Sequence, residues 1–191
     1  MQLILASQSP RRKELLALLK RPFIIRVADI DETMDETLDP AQEVARVSLA
    51  KAQAVSRQPE DIVIAADTIV VLNNQVLGKP RDGAHAKAML TALSGRDHQV
   101  MTGVTVLQGQ RSLVHTEITD IHFRPLSEKE IDAYVATGEC MDKAVSYGIQ
   151  GGAALFAQRL QGDYYNVMGL PVCRLFEMLR ELAPEFMEDI Q

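Results

Sequence analysis

Ser7-Gln8-Ser9-Pro10-Arg11-Arg12 places two arginines at the head of a helix, where backbone N–H groups and the macrodipole already concentrate positive charge. An anion bound at that turn reverses the sign of the penalty, and a small hydroxyl-rich turn with two guanidinium groups suits phosphate. The same pair also reads as solvated arginines that tolerate about a few tenths of a kcal/mol of repulsion. Asp67 breaks a second rule, because it interrupts the apolar run Ile62–Leu72. A buried carboxylate there is costly unless it is paired, metal-bound or open to a polar cleft. Its bland reading is a turn between two shorter strands, or a partner for a buried cation. Lys51 falls on the apolar stripe of Val44, Val47, Ala54 and Val55, so its ammonium either snorkels to the helix edge or points into a cleft. Lys79, between Gly78 and Pro80, sits on a stiff loop and is either solvated or functional. The acidic run from Asp29 to Asp39 offers carboxylates to a hard divalent cation, with Glu32 the best placed at a strand end and the other charges read as solvated.

Other chemistries fall away. The chain has no G-x-x-x-x-G-K-[ST] loop and no G-x-S-x-G elbow. Its four histidines do not cluster, and Cys140 and Cys173 lack metal-ligand spacing, against a zinc site or a Ser-His-Asp triad. A net charge of −6 and the absence of Trp disfavour a nucleic-acid surface and fit a small anionic ligand at a locally basic site. No apolar run approaches the ~20 residues of a membrane span, and no leader pattern opens the chain, so a cytoplasmic location without membrane attachment is expected.

The elements that position these residues follow from local signals. Residues 2–6 predict a strand, and Ser9-Pro10 starts a helix whose apolar face carries Leu15, Leu16 and Leu19. Pro22–Ala28 reads as a second strand, and Asp39-Pro40 opens a helix reaching about Arg57. Ile62–Leu72 is strand-like, with Asn73-Asn74 turning it into a hairpin through Gln75-Val76-Leu77. Asp82 caps a helix that ends at Gly95, and long strands follow over Gln99–Leu107 and Ser112–Phe123. Ser127-Glu128-Lys129-Glu130 is a capping box for a helix ending at Gly138. Residues 140–170 are irregular around a strand near Ala154–Leu160, and a last helix starts at about Pro171. With 47% hydrophobic residues and no linker-like segment or repeat, the 191 residues predict one α/β domain with a mixed twisted sheet flanked by helices.

Ser7-Gln8-Ser9-Pro10-Arg11-Arg12-Lys13-Glu14-Leu15-Leu16, Ala66-Asp67-Thr68-Ile69-Val70 and Gly78-Lys79-Pro80 resemble the Maf family of nucleotide pyrophosphatases. The likeness continues through Leu93-Ser94-Gly95, Asp142-Lys143-Ala144, Tyr147-Gly148-Ile149-Gln150-Gly151, Tyr165-Asn166-Val167 and Gly169-Leu170-Pro171, in order along nearly the whole chain. The resemblance implies an elongated, bilobed fold like that of inosine triphosphate pyrophosphatases, with a central cleft. It implies hydrolysis of a nucleoside triphosphate to monophosphate and pyrophosphate with a divalent cation, Mg²⁺ or Mn²⁺, in a homodimer. On this likeness Ser7, Arg12, Lys51 and Lys79 bind phosphate, joined by Arg11. Asp67 is the catalytic acid–base group, and Glu32 and Asp67 are metal partners. Thr68 and Gln150 match the dTTP/UTP subgroup, with Arg11, Thr68 and Gln150 setting specificity. A 7-methyl-GTP pyrophosphatase and a non-catalytic nucleotide-binding regulator of septum formation are the alternatives. The chain departs from the family pattern at Cys140 and at Ala144-Val145-Ser146-Tyr147, near the expected base pocket.

Overall fold

The structure, a computed structural model, describes residues 1–35, 37–140 and 147–187. Asp142-Lys143-Ala144 and the departures at Val145 and Ser146 lie outside the described residues. Two compact units are present: Met1–Asp67, Thr102–Glu117 and Gly169–Gln191 form the first, Thr68–Met101 and Ile118–Met168 the second. Among the described residues no helix is long and apolar enough to cross a membrane.

Among the described residues seven strands form one mixed sheet: β1 (Leu3–Leu5), β2 (Ile24–Ile25), β3 (Ile62–Leu72), β4 (Gln75–Leu77), β5 (Asp97–Gln108), β6 (Arg111–Phe123) and β7 (Ala157–Gln161). Their order is β2-β1-β3-β5-β6-β7, with β4 paired to β3. β1 lies parallel to both β2 and β3, whereas β3–β4 and β6–β7 are antiparallel. The helices are α1 (Pro10–Ala17), α2 (Pro40–Ala54), α3 (Gly83–Leu93), α4 (Glu128–Ala136), α5 (Tyr164–Met168), α6 (Val172–Leu182) and α7 (Pro184–Met187). The expected mixed α/β fold is the observed one.

Capping chemistry fixes most helix starts where the sequence puts them. Ser9, Asp39, Asp82 and Ser127 each accept a first-turn backbone N–H, and Ser127 with Glu130 closes the capping box. Asn73 and Asn74 both adopt positive φ, 51° and 63°, the conformation a two-residue hairpin turn requires. Elsewhere long-range packing overrides local pattern. The second strand shrinks from Pro22–Ala28 to two exposed residues. The strand expected near Ala154–Leu160 starts at Ala157, after a 3₁₀ turn at Gly152–Leu155. Helix α2 ends at Ala54, not near Arg57, and Ala54 is exposed, its inward face being completed by Ser48 and Ala52.

In the first unit, α2 lies on β5 by backbone contact. A Cβ built on Gly103 would sit 2.3 Å from the Val44 carbonyl oxygen, so only glycine fits. One turn further along α2, the Ser48 and Thr105 hydroxyls are 2.8 Å apart, satisfying both in a buried setting. The second unit has its own core. Val70, Leu90, Leu93, Val100, Ile121 and Phe123 pack beside Ile131, Tyr134, Tyr147 and Phe156. His98 is buried in that core, with Nε2 2.8 Å from the Tyr147 hydroxyl and its ring edge-on to Phe123.

Gly103→Ala drives a methyl into the α2 backbone and should cost at least about 1–3 kcal/mol by urea unfolding, as overpacking does; an unchanged midpoint would refute the contact. Burial holds the His98 imidazole at about 4, below its ordinary 6.5. The unfolded chain therefore takes up the proton first. The stability His98 contributes is complete above pH 6.5 and is lost as pH falls through 6.5 toward 4. Between pH 7 and 5 the loss should be about 2 kcal/mol, and His98→Gln should flatten it. Glu130, held at about 2 chiefly by Arg124, stays ionised across that window. A slope identical in wild type and variant would exclude His98 as the cause.

Candidate active site

The first unit brings together Ser7, Arg12, Glu32, Lys51 and Asp67. Strand β3 is buried along its length except at Asp67 and Thr68, where it opens. It runs through Asp67 without a turn, so the turn reading is overturned and the carboxylate projects from a continuous strand. Lys51, in the last turn of α2, reaches it: Nζ lies 2.8 Å from Asp67 Oδ1 and 2.9 Å from Glu32 Oε2. The side chains of Lys51 and Asp67 are 15% and 18% exposed, whereas that of Glu32 is 58% exposed. One ammonium thus joins a sheltered and an open carboxylate. Of the two readings of Lys51, the inward one holds.

Arg12 is fixed by a second set of contacts. Its Nε donates to the Gly169 carbonyl at 2.8 Å and Nη1 to Ser7 Oγ at 3.3 Å. The same Ser7 oxygen accepts the Ser9 amide at 3.2 Å, which ties the turn to the guanidinium. Burial lowers the Arg12 pKa from its ordinary value, Arg11 adds to that, and Asp67 and Glu32 oppose it. Arg12 is therefore close enough to Arg11, Glu32 and Asp67 to feel the charge of each. A guanidinium held in one orientation at the head of α1, beside a hydroxyl and first-turn amides, is suited to an anionic oxygen.

Thr68, Lys79 and Gln150 belong to the second unit. Thr68 is half-buried on β3, and Lys79 is exposed in the stretch between β4 and α3. Gln150 is exposed in a tight turn closed by Gly151 N–H donating to the Gly148 carbonyl at 2.9 Å. Glu139 Oε2 accepts the Gly152 amide at 3.1 Å beside Gly151, so it steadies the turn carrying Gln150, a role no sequence signal marked.

The acidic run is more ordered than a solvated loop. Asp31 and Asp35 accept the amides of Thr33 and Thr37 at 2.8 Å and 2.9 Å, and Asp39 caps α2. Glu43 and Arg46, two residues the sequence reading passed over, hold the loop from α2. Among the described residues no group of three or more His, Cys, Asp or Glu side chains is placed to hold a metal.

The family model described as "Maf-like protein" matches residues 2–182. A protein of Symbiobacterium thermophilum named dTTP/UTP pyrophosphatase is 53% identical over 183 residues, covering 95% of this chain and 94% of that protein. One of the same name from Bacillus cytotoxicus is 49% identical over 179 residues, covering 93% and 94%. A HAM1 protein structure from Coxiella burnetii superposes with a TM-score of 0.50 at 14% identity, over 95% of this chain and 99% of that one, a likeness of fold.

Arg12→Lys cannot reproduce a fork that donates to Gly169 and Ser7 at once. It should weaken binding of inorganic triphosphate about tenfold by calorimetry, the worth of one charge-assisted hydrogen bond. Unchanged affinity would remove Arg12 from the anion site.

Proposed function

This chain belongs to the Maf family, and on that premise we propose that it hydrolyses dTTP and UTP to the monophosphate and pyrophosphate. The observation that carries the reading is Lys51 shared between Glu32 and Asp67, beside a fixed Arg12. Two carboxylates directed at one cation, next to groups that suit phosphate, supply the parts of a metal-assisted phosphoanhydride hydrolysis.

The donor set fits a divalent metal. Mg²⁺ takes one or two carboxylates and completes its shell with water and substrate phosphate oxygens, so Glu32 and Asp67 are sufficient protein ligands. Mn²⁺ accepts the same oxygen donors. When bound, such a cation supplies charge neutralisation and polarisation at the phosphoryl oxygens.

The chain's own residues do the rest. Ser7, Arg12 and the α1 amides bind phosphate oxygens, and Lys51 and Lys79 add positive charge against the leaving pyrophosphate. Asp67 accepts a proton from water as the water oxygen bonds to the α-phosphorus. The bond from the α-phosphorus to the bridging oxygen breaks, and its electron pair leaves with pyrophosphate. Sheltering Asp67 from bulk water keeps that carboxylate directed at one reaction. Arg11, Thr68 and Gln150 carry specificity in this proposal. A carboxamide both donates and accepts, which matches the alternating edge of thymine or uracil.

A nucleotide panel with pyrophosphate readout tests the reading. Metal-dependent release from dTTP and UTP should exceed that from 7-methyl-GTP, and the opposite order would overturn the subgroup assignment. Binding of dTTP without pyrophosphate release would favour a regulator over an enzyme. Asp67→Asn should lower kcat at least ~10²-fold, the low end for a positioned acid–base group, and a variant of near wild-type turnover would end the assignment.

A further inference from the structure

Glu43 is a carboxylate in the first turn of α2 with a side chain only 2% exposed, far from the exposure usual for that residue. Its charge is fully engaged. Arg46 donates from Nε to Oε2 at 2.8 Å and from Nη2 to Oε1 at 2.6 Å, a two-pronged pair across one turn of helix. These bonds, above all, hold the Glu43 pKa below the ordinary carboxylate value, and they raise that of Arg46.

What distinguishes the pair is where its remaining capacity goes. Glu43 Oε1 also accepts the backbone N–H of Asp35 at 3.0 Å. Arg46 Nη2 also donates to the backbone carbonyl of Thr33 at 3.1 Å. The pair therefore grips the 33–35 backbone at one donor and one acceptor, and the Asp31 and Asp35 side chains stiffen the loop on either side. Glu32 is the residue immediately before the gripped segment. The same helix carries Lys51, whose ammonium Glu32 meets.

From this we infer that Glu43 and Arg46 are positioning residues for Glu32, holding its exposed carboxylate against Lys51 and so beside Asp67. A carboxylate that is 58% exposed on a loop has no packing of its own to fix it. The clamp supplies that order from a buried Glu43 and a partly exposed Arg46 on one helix. Removing Arg46 would leave the buried Glu43 charge uncompensated, and removing the Glu43 charge would release the fork, so the clamp holds the loop only while both members are intact. The inference rests on the proposed function, in which Glu32 and Asp67 hold the divalent cation.

The test uses the full-length protein and Glu43→Gln, which keeps the shape and removes the charge. Amide hydrogen exchange at Thr33 and Asp35 should accelerate. Mn²⁺ affinity, followed by the electron paramagnetic resonance of free Mn²⁺, should fall about tenfold, the low end for groups that orient a metal-binding carboxylate. The Mn²⁺ concentration for half-maximal pyrophosphate release should rise by more than kcat falls. In a Glu32→Gln background, Glu43→Gln should add nothing further, because its effect passes through Glu32. Arg46→Lys keeps the charge on Glu43 but loses the fork, and should show a smaller loss in the same direction; it carries the test if Glu43→Gln does not fold. Unchanged Mn²⁺ affinity, or the same loss with and without Glu32, would overturn the inference alone. A wild-type protein that binds no Mn²⁺ would overturn the metal reading and this inference with it.

Discussion

An aspartate inside an apolar strand has to be compensated, and the first unit is arranged around that requirement. Asp67 stands on β3 among buried neighbours, and ionised carboxylates persist in such places only when paired or solvated. Lys51 is the partner, so α2 must run close enough for a lysine in its last turn to reach the strand. That closeness has a structural cause at Gly103, whose missing side chain lets the Val44 backbone rest on β5. β5 neighbours β3 in the sheet, so a glycine on one strand sets the reach of a lysine to the next. The Ser48–Thr105 hydroxyl pair then fixes the helix along its axis. Geometry at the carboxylate is therefore inherited from packing one strand away.

The parts of this arrangement with local causes were legible in the sequence. Side-chain caps, the Asn73-Asn74 turn and the capping box act within four residues, and each worked where it was read. The misfits also stood out: Asp67, Lys51 and the arginine pair contradict their surroundings at the level of composition. Their partners were not legible. Snorkelling and inward orientation of Lys51 have the same spacing, and only the position of β3 beside α2 separates them. Glu43 and Arg46 were the hardest, because an acid and a base three apart on a helix read as an ordinary solvated pair. Burial turns that pair into a clamp, and burial comes from a loop whose path no local rule fixes. Elements lacking strong local signals drifted for the same reason, as in the short exposed β2 and the displaced start of β7.

The acidic run illustrates how one composition supports several tasks. Asp31 and Asp35 fold the loop back on itself by accepting nearby amides, and Asp39 ends the loop by capping α2. Asp31, Asp35 and Asp39 stay exposed, so these bonds order the loop while their charges remain in solvent as the sequence predicts. Glu32 is left with its carboxylate directed at an ammonium, on a segment whose neighbours are already bound. Turn formation, helix capping and site chemistry thus share one acidic run without competing, since Asp31, Glu32, Asp35 and Asp39 each meet a different donor.

Charge balance ties this geometry to the proposed reaction. Arg12, with Arg11 beside it, and Lys51 lie near Glu32 and Asp67, so three cations stand with two carboxylates and the local excess is a single positive charge. A nucleoside triphosphate brings more negative charge than that excess neutralises. The two carboxylates would then repel the substrate unless something satisfied them first. In the proposed function Glu32 and Asp67 would hold a divalent cation, whose charge would offset that repulsion. In the proposed reaction, the two carboxylates that leave this arrangement only weakly basic would be what calls for a metal with the substrate. Lys51 would then exchange partners, because its ammonium and such a cation would compete for the oxygens of Glu32 and Asp67. A lysine suits that position: its ammonium is a compact charge on a flexible stem, able to turn from carboxylate to phosphate without moving the helix that carries it.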